Sequence, residues 1–173
     1  MAELTPMMQQ YMQTKKEYPD CILFYRLGDF YEMFFDDALT ASKELEITLT
    51  GKNCGLEERA PMCGVPYHAV DGYLNRLVSK GYKVAICEQM EDPATAKGLV
   101  KRDVVRIVTP GTNLDTQALD ETKNNYIMCI AYASDHYGVS VADVSTGEYM
   151  VTEIENSEKL FDEIYKLMPS QLI

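Results

Sequence analysis

The sequence predicts a mixed α/β protein: a first domain with a mixed central sheet and helices packed around it, followed by part of a second α/β domain. Up to residue 112, short apolar runs bounded by turn residues alternate with apolar positions at helical spacing. Residues 113–123 are polar and predict a linker. Residues 124–173 begin with three apolar runs joined by short turns, which is typical of an antiparallel meander.

The first domain opens with clear helix and hairpin signals. Thr5-Pro6 is typical of a helix start, and Tyr18-Pro19 ends that helix because proline disfavours helical backbone in the residue before it. Cys21–Arg26 is a short apolar and aromatic run, and Gly28-Asp29 is a typical turn pair. We therefore predict a helix at 6–17 and strands at 21–26 and 30–34.

The rest of the first domain is dominated by one helical stripe. Apolar side chains from Val70 to Val78 fall at i, i+3, i+4, i+7 and i+8, and Lys80-Gly81 ends the pattern. Residues 61–67 hold too many helix breakers for a helix, and we expect Gly64 and Pro66 to fix a bend there. The remaining predicted elements are a helix from Asp36 to Leu45, strands at 47–50, 82–88 and 103–109, and polar loops at 51–59 and 92–98.

The second domain predicts strands at 126–132, 138–144 and 149–154. Apolar residues from Phe161 to Met168 indicate a helix that Pro169 ends, and Gln171–Ile173 resembles the start of another strand. A domain that stopped there would be incomplete, so we expect the chain to be a piece of a longer protein.

Composition argues against several classes of protein. Hydrophobic residues make up 46% of the chain, and no apolar run approaches the ~18 residues that span a bilayer. The N-terminus lacks the basic and apolar regions of a signal peptide, so we expect a cytoplasmic protein with no membrane partner. The five cysteines form no C-x-x-C pair and the two histidines are scattered, which argues against a disulfide framework and a metal site.

The net charge of −11 has the wrong sign for a general DNA-binding protein. Residues 1–112 carry 13 basic and 16 acidic side chains, whereas residues 113–173 carry 3 and 11, so most of the excess acid lies in the last third. Between Lys97 and Arg106 there are four basic residues and one acid. This pattern fits a local basic strip but not a strong non-specific grip on phosphates.

The candidate binding residues follow the turn at Gly28-Asp29. Phe30 and Glu32 lie two residues apart in a predicted strand, so both side chains point to the same side. An aromatic ring at an exposed edge can stack on a base or wedge between base steps in the minor groove. A carboxylate can accept a hydrogen bond from a base edge, or donate one if protonated. The same pattern also fits a core Phe30 and a solvated Glu32, and spacing alone leaves both interpretations open.

The segment Phe24–Phe34 closely resembles the stretch of MutS-type DNA mismatch-repair proteins that holds their Phe-x-Glu mismatch-recognition motif. Five further segments match the family in its order. They are Thr5–Tyr11, Gly64–Val70, Val84–Gln89, Asp92–Ala94 and Val104–Thr112. The resemblance is dense over residues 5–112. It is looser over 123–173, a stretch similar to the family's connector domain, which has a ribonuclease-H-like fold.

This resemblance implies that Phe30 stacks on a mispaired base from the minor groove and that Glu32 hydrogen-bonds that base. A carboxylate near phosphates is repelled, so we expect Glu32 to penalise binding to intact duplex. Candidates for contacts with the DNA backbone are Arg106, Lys97, Lys101 and Arg102.

The family resemblance also sets expectations for cofactors and partners. The expected partner is mismatched double-stranded DNA. This chain has no phosphate-binding G-x-x-x-x-G-K-[ST] loop, and in the family ATP and magnesium bind to a C-terminal domain absent here. We therefore expect no catalytic residue, metal or cofactor in this fragment. The longer parent is expected to be an ATP-dependent homodimer, and other mismatch-repair proteins would bind through the connector domain.

Two rival functions stay open. Asp143 lies in the predicted meander, and a ribonuclease-H-like fold with a carboxylate could belong to a nuclease. One acid is not a two-metal site, which needs several converging carboxylates. The acidic residues 113–173 could instead form a protein-interaction module, either alone or in addition to DNA binding.

Overall fold

The computed structural model describes residues 3–113 and 124–173. The chain forms two compact units, Met1–Val108 and Thr109–Ile173. The first unit contains, in chain order, α1 (Pro6–Glu17), β1 (Cys21–Leu27), β2 (Phe30–Phe34), α2 (Phe35–Leu45), β3 (Thr50–Lys52), β4 (Ala60–Pro66), α3 (Val70–Val78), β5 (Lys83–Gln89) and β6 (Arg102–Val108). The second unit contains β7 (Tyr126–Ala133), β8 (His136–Asp143), β9 (Glu148–Ile154), α4 (Ser157–Leu167) and β10 (Gln171–Leu172). The mixed α/β class is confirmed.

The first unit is built on a six-stranded mixed sheet with the order β3-β4-β2-β1-β5-β6. Its central pair, β1 and β5, is parallel, and the other neighbours are antiparallel. The apolar strands β1 and β5 therefore lie inside the sheet, where both of their faces are covered along most of their length. Strands β1 and β2 are central in the sheet, so the turn that joins them lies where the strands end, between β4 and β5.

Helix α1 covers one face of this sheet. It begins where the sequence predicts, because the Thr5 hydroxyl accepts a hydrogen bond from the Met8 amide and Pro6 occupies the first turn. Tyr11 is buried in this layer, and its hydroxyl donates to Asp37 Oδ2 at 3.1 Å. Asp37 also accepts from Lys15 Nζ at 2.9 Å, so a buried carboxylate ties α1 to α2.

Helices α2 and α3 cover the opposite face. Their apolar sides pack against alternate residues of the central strands in one core cluster. The predicted stripe on α3 is confirmed, since Leu74, Leu77 and Val78 are buried. The sheet is therefore the middle of three layers, with residues of β2 alternating between the two cores.

Two sequence predictions near β3 and β4 are corrected by the structure. The strand predicted at 47–50 is wrong, because residues 47–49 bring the chain out of α2 after Glu46, which adopts φ 56°, and the strand is Thr50–Lys52. Residues 61–67 form no α-helix, as predicted, but they contribute to strand β4 rather than to a bend at Gly64. Pro61 lies near the start of β4, beyond the last β2 pair at Met62, so it has a strand neighbour only on the β3 side and its missing N–H costs no bond to β2.

The second unit is a four-stranded sheet with the order β10-β7-β8-β9. The predicted meander is confirmed: β7, β8 and β9 pair antiparallel, with Ser134 and Asp135 both at positive φ in the first turn. Strand β10 then pairs parallel with β7, which makes this a mixed sheet of the ribonuclease-H-like kind. Helix α4 packs its apolar side on this sheet.

The predicted linker at 113–123 lies, apart from Asn113, outside the residues that the structure describes. Among the helices within 3–113 and 124–173, none is both long enough and apolar enough to cross a membrane.

Candidate nucleic-acid interface

The tip of the β1–β2 hairpin is a two-residue turn, Gly28-Asp29. Gly28 adopts φ +58°, a conformation that favours glycine at the first position of a tight hairpin turn. The turn is tied on two sides: the Gly28 amide donates to Gln89 Oε1 at 3.1 Å, and the Tyr67 amide donates to the Asp29 carbonyl at 3.0 Å. Strand β5 and the chain after β4 therefore both hold the turn.

Phe30 is the first residue after this turn, and it is 46% exposed. Two other aromatic residues of the same strand are buried: Tyr31 lies in one core and Phe34 in the other. Phe30 pairs across the sheet with Leu27 on one side and Pro66 on the other. Where β1, β2 and β4 end beside the turn, the sheet therefore carries an aromatic side chain that is open to solvent.

Glu32 lies on the same face as Phe30, two residues further along β2. Its carboxylate Oε2 accepts a hydrogen bond from Lys52 Nζ at 2.5 Å, and the two side chains are 16% and 33% exposed. Gly64 stands opposite Glu32 on β4, and a Cβ there would lie 3.5 Å from Glu32 Cγ. Glu32 is therefore a partly buried carboxylate whose charge is offset by a lysine.

A second cluster supports the hairpin from the other face. The Arg26 guanidinium lies over the Tyr67 ring, with its carbon 3.8 Å from the ring centre, and its Nε donates to the Gly28 carbonyl at 2.5 Å. Arg26 also forms an ion pair with Glu88 at 3.7 Å, and Glu88 accepts the Tyr31 hydroxyl. Burial and this hydrogen bond raise the pKa of Tyr31 to about 12, so the phenol keeps the proton that it donates.

The four candidate basic residues have different surroundings. Lys97, Lys101 and Arg106 are exposed. Arg102 is partly buried, and its guanidinium donates to Arg26 O, Gln10 Oε1 and Val100 O while lying 5.1 Å from the Tyr25 ring. Lys97 and Lys101 lie in the connection between β5 and β6, which leaves the sheet at the hairpin end, whereas Arg106 pairs with Ile86 in the middle of β5.

Sequence reasoning missed Arg26, Tyr67 and Lys52. Arg26 and Tyr67 lie in segments that the family resemblance includes, but no local pattern indicates that they stack. No sequence pattern pointed to Lys52 as a partner of Glu32, because Lys52 lies in a stretch predicted to be a loop.

Asp143, the carboxylate behind the nuclease alternative, is fully buried at the end of β8. Its Oδ1 accepts from the Ser145 hydroxyl and from the Ser145 and Thr146 amides, and its Oδ2 accepts from the Asn125 amide. The Ser145 hydroxyl and these amides hold the pKa of Asp143 below its usual range. Both oxygens anchor a turn, which is a poor arrangement for a metal ligand. Within the described ranges, no group of three acidic, histidine or cysteine side chains is placed to hold a metal ion.

The fold and the hairpin tip define a class of protein: a two-unit α/β module that presents an exposed aromatic ring beside a lysine-paired carboxylate. Two family models match the chain. The model of MutS domain I matches residues 5–117, and the model of MutS domain II matches residues 125–173.

The chain is also similar over its whole length to bacterial relatives called DNA mismatch repair protein MutS. The relative from Lachnoclostridium phytofermentans is 70% identical over all of this chain and 19% of its own length. Those from Acetivibrio thermocellus and Ruminiclostridium cellulolyticum are 65% and 63% identical over all of this chain and 20% of theirs. The chain belongs to the MutS family, and it spans about a fifth of the length of these relatives.

Proposed function

We propose that this chain is the mismatch-recognising part of a longer DNA mismatch-repair protein, and that Phe30 and Glu32 recognise the mismatch. The observation that carries the proposal is the exposed Phe30 ring at the tip of a hairpin whose turn is bonded to both neighbouring parts of the sheet. Membership of the MutS family supports it.

Phe30 would test how easily the duplex deforms. A mispaired site pairs and stacks poorly, so kinking or opening it costs less than the several kcal/mol that intact DNA requires. An aromatic side chain inserted from the minor groove gains roughly 1–3 kcal/mol by stacking on a base. This gain exceeds the deformation cost only where pairing has failed, which turns local weakness into selectivity.

Glu32 would contribute a hydrogen bond to the base on which Phe30 stacks, since the two side chains share a face of β2. The Lys52 ion pair changes the repulsion expected from the sequence, because phosphates meet a compensated carboxylate rather than an isolated one. The remaining penalty comes from desolvating this pair when an intact duplex covers it without supplying a hydrogen bond.

Contacts with the DNA backbone are proposed for the exposed basic side chains, Lys97, Lys101 and Arg106. Arg102 is a weaker candidate, because its donors already bind Gln10, Arg26 and Val100. The modest number of such residues suits a domain that discriminates while other regions of the longer protein supply affinity.

The longer protein is proposed to be a cytoplasmic homodimer that binds ATP and magnesium through a C-terminal domain outside this chain. The second unit of this chain is proposed to contact other mismatch-repair proteins. We propose that this C-terminal domain is an ATPase, and we expect no ATP hydrolysis by this chain alone.

The test is Phe30→Ala in the full-length protein, with binding to a duplex containing one unpaired thymidine compared with the fully paired duplex. We expect heteroduplex affinity to fall at least about tenfold, toward that for the paired duplex, because stacking is lost. Leu39→Ala is the control, since Leu39 is 47% exposed on α2, away from the hairpin. A folded Phe30→Ala protein that keeps its preference would refute the proposal.

A further inference from the structure

The second notable feature of the hairpin is the partner of Glu32. Lys52 comes from the edge strand β3, two strands away from β2 in the sheet. Its ammonium nevertheless reaches Glu32 Oε2 at 2.5 Å and lies 5.6 Å from the centre of the Phe34 ring. The lysine side chain therefore spans the intervening strand β4.

The intervening strand is shaped to allow this contact. Gly64 is the cross-strand neighbour of Glu32 on β4 and carries no side chain. A Cβ at this position would lie 3.2 Å from the Tyr31 carbonyl oxygen, closer than most side chains approach, and 3.5 Å from Glu32 Cγ, an ordinary van der Waals contact. The glycine thus leaves room for Glu32 beside the strand.

Lys52 also determines which carboxylate atom is available. Among residues 3–113 and 124–173, the Lys52 ammonium is the only group that donates a hydrogen bond to the Glu32 carboxylate, and it bonds to Oε2. Oε1 is thereby left to accept a hydrogen bond from outside. A charged carboxylate only accepts hydrogen bonds, so Oε1 can pair with a donor on a base.

We propose that Lys52 is a positioning residue for mismatch recognition: it fixes the Glu32 carboxylate so that Oε1 faces the base beside Phe30. The proposal rests on the function proposed above for Phe30 and Glu32. Without the tether, Glu32 would rotate among several side-chain conformations, and ordering them would consume part of the binding energy of the base contact. The effect concerns discrimination, because it acts through a contact that only a displaced base makes.

The experiment measures affinity for the paired duplex and for the unpaired-thymidine duplex, using the full-length protein. Lys52→Met keeps the apolar stem beside Phe34 but removes the charge, and Lys52→Arg restores it. Both are made alone and together with Glu32→Ala. Lys80→Met is the matched control, because Lys80 forms a comparable ion pair with Glu44 at the far end of the sheet.

We expect Lys52→Met to reduce the heteroduplex-to-homoduplex affinity ratio by about fivefold, the upper range for a partly exposed ion pair. Lys52→Arg should keep the ratio within about twofold of the parent, and in the Glu32→Ala background Lys52→Met should leave it unchanged. An equal loss for both duplexes would overturn the proposal, because Lys52 would then act on phosphates alone. A ratio reduced equally in both backgrounds would also overturn it.

The two proposals fail differently. If Phe30→Ala abolishes the mismatch preference but Lys52→Met does not alter it, only the role of Lys52 is wrong. If Phe30→Ala keeps the preference, the recognition function itself is wrong.

Discussion

Removing the Glu32 carboxylate should strengthen binding to fully paired DNA. In the folded chain the carboxylate and the Lys52 ammonium neutralise each other at 2.5 Å. Glu32→Ala leaves the ammonium without this partner, on a side chain that is already 33% exposed. The local charge therefore changes from zero to one positive unit beside the proposed DNA surface.

The size of this change follows from counterion release and from the exposure of the pair. One additional cation at a phosphate steepens the dependence of log affinity on log salt by about 0.9. A partly exposed charge is worth about 1 kcal/mol at most, or roughly fivefold in affinity. The mismatched duplex would also lose the proposed hydrogen bond to the Glu32 carboxylate, about 1.5–3 kcal/mol. We therefore expect tighter homoduplex binding and an affinity ratio that shrinks by about tenfold or more.

Fluorescence anisotropy with both duplexes, at salt concentrations from about 50 to 200 mM, measures affinity and salt slope together. Glu17→Ala is the charge-matched control, because Glu17 is exposed at the end of α1 distant from the hairpin. If Glu32→Ala leaves both the homoduplex affinity and the salt slope unchanged, the electrostatic reasoning is wrong. The same holds if Glu17→Ala has the same effect.

Two further predictions concern stability. Arg26→Met removes the stack on Tyr67 and the bond to the Gly28 carbonyl, so the first unit should lose about 1–2 kcal/mol. The Tyr67 amide should also exchange its hydrogen faster, and unchanged exchange would contradict the supporting role. Asp143→Asn cannot accept all the donors that now bind the carboxylate, so the second unit should lose about 1–3 kcal/mol in urea unfolding at neutral pH. Because hydrogen bonds depress the pKa of Asp143, its contribution is present above the ordinary aspartate pKa of about 3.9 and declines as pH falls below it. Parallel stability curves for parent and variant across that range would exclude this role.

Much of the fold could be predicted because its signals are local. The cap at Thr5-Pro6, the glycine turn before Phe30 and the apolar stripe on α3 each involve residues close in sequence. The helix predicted at 6–17 and the strand predicted at 30–34 have the same bounds in the structure.

The parts that sequence reasoning missed depend on distant pairing. Strand β4 has two prolines and a glycine, and it is a strand only because β2 and β3 pair with its two edges. The donors of Arg102 bind Gln10 and Arg26, which are 92 and 76 residues away in the chain. The Lys52–Glu32 pair likewise appears only when β3 takes its place beside β4.

The hairpin turn at Gly28-Asp29 has a mechanical consequence. Hydrogen bonds to Gln89 and Tyr67 anchor it to the body of the sheet, so the protein side of the encounter is stiff. If a rigid hairpin contacts a DNA duplex that deforms more easily, the duplex changes shape rather than the hairpin. The deformation energy of the complex would then be mainly that of bending the DNA. A protein moving along DNA would therefore respond to differences in duplex stiffness without changing its own conformation at each step.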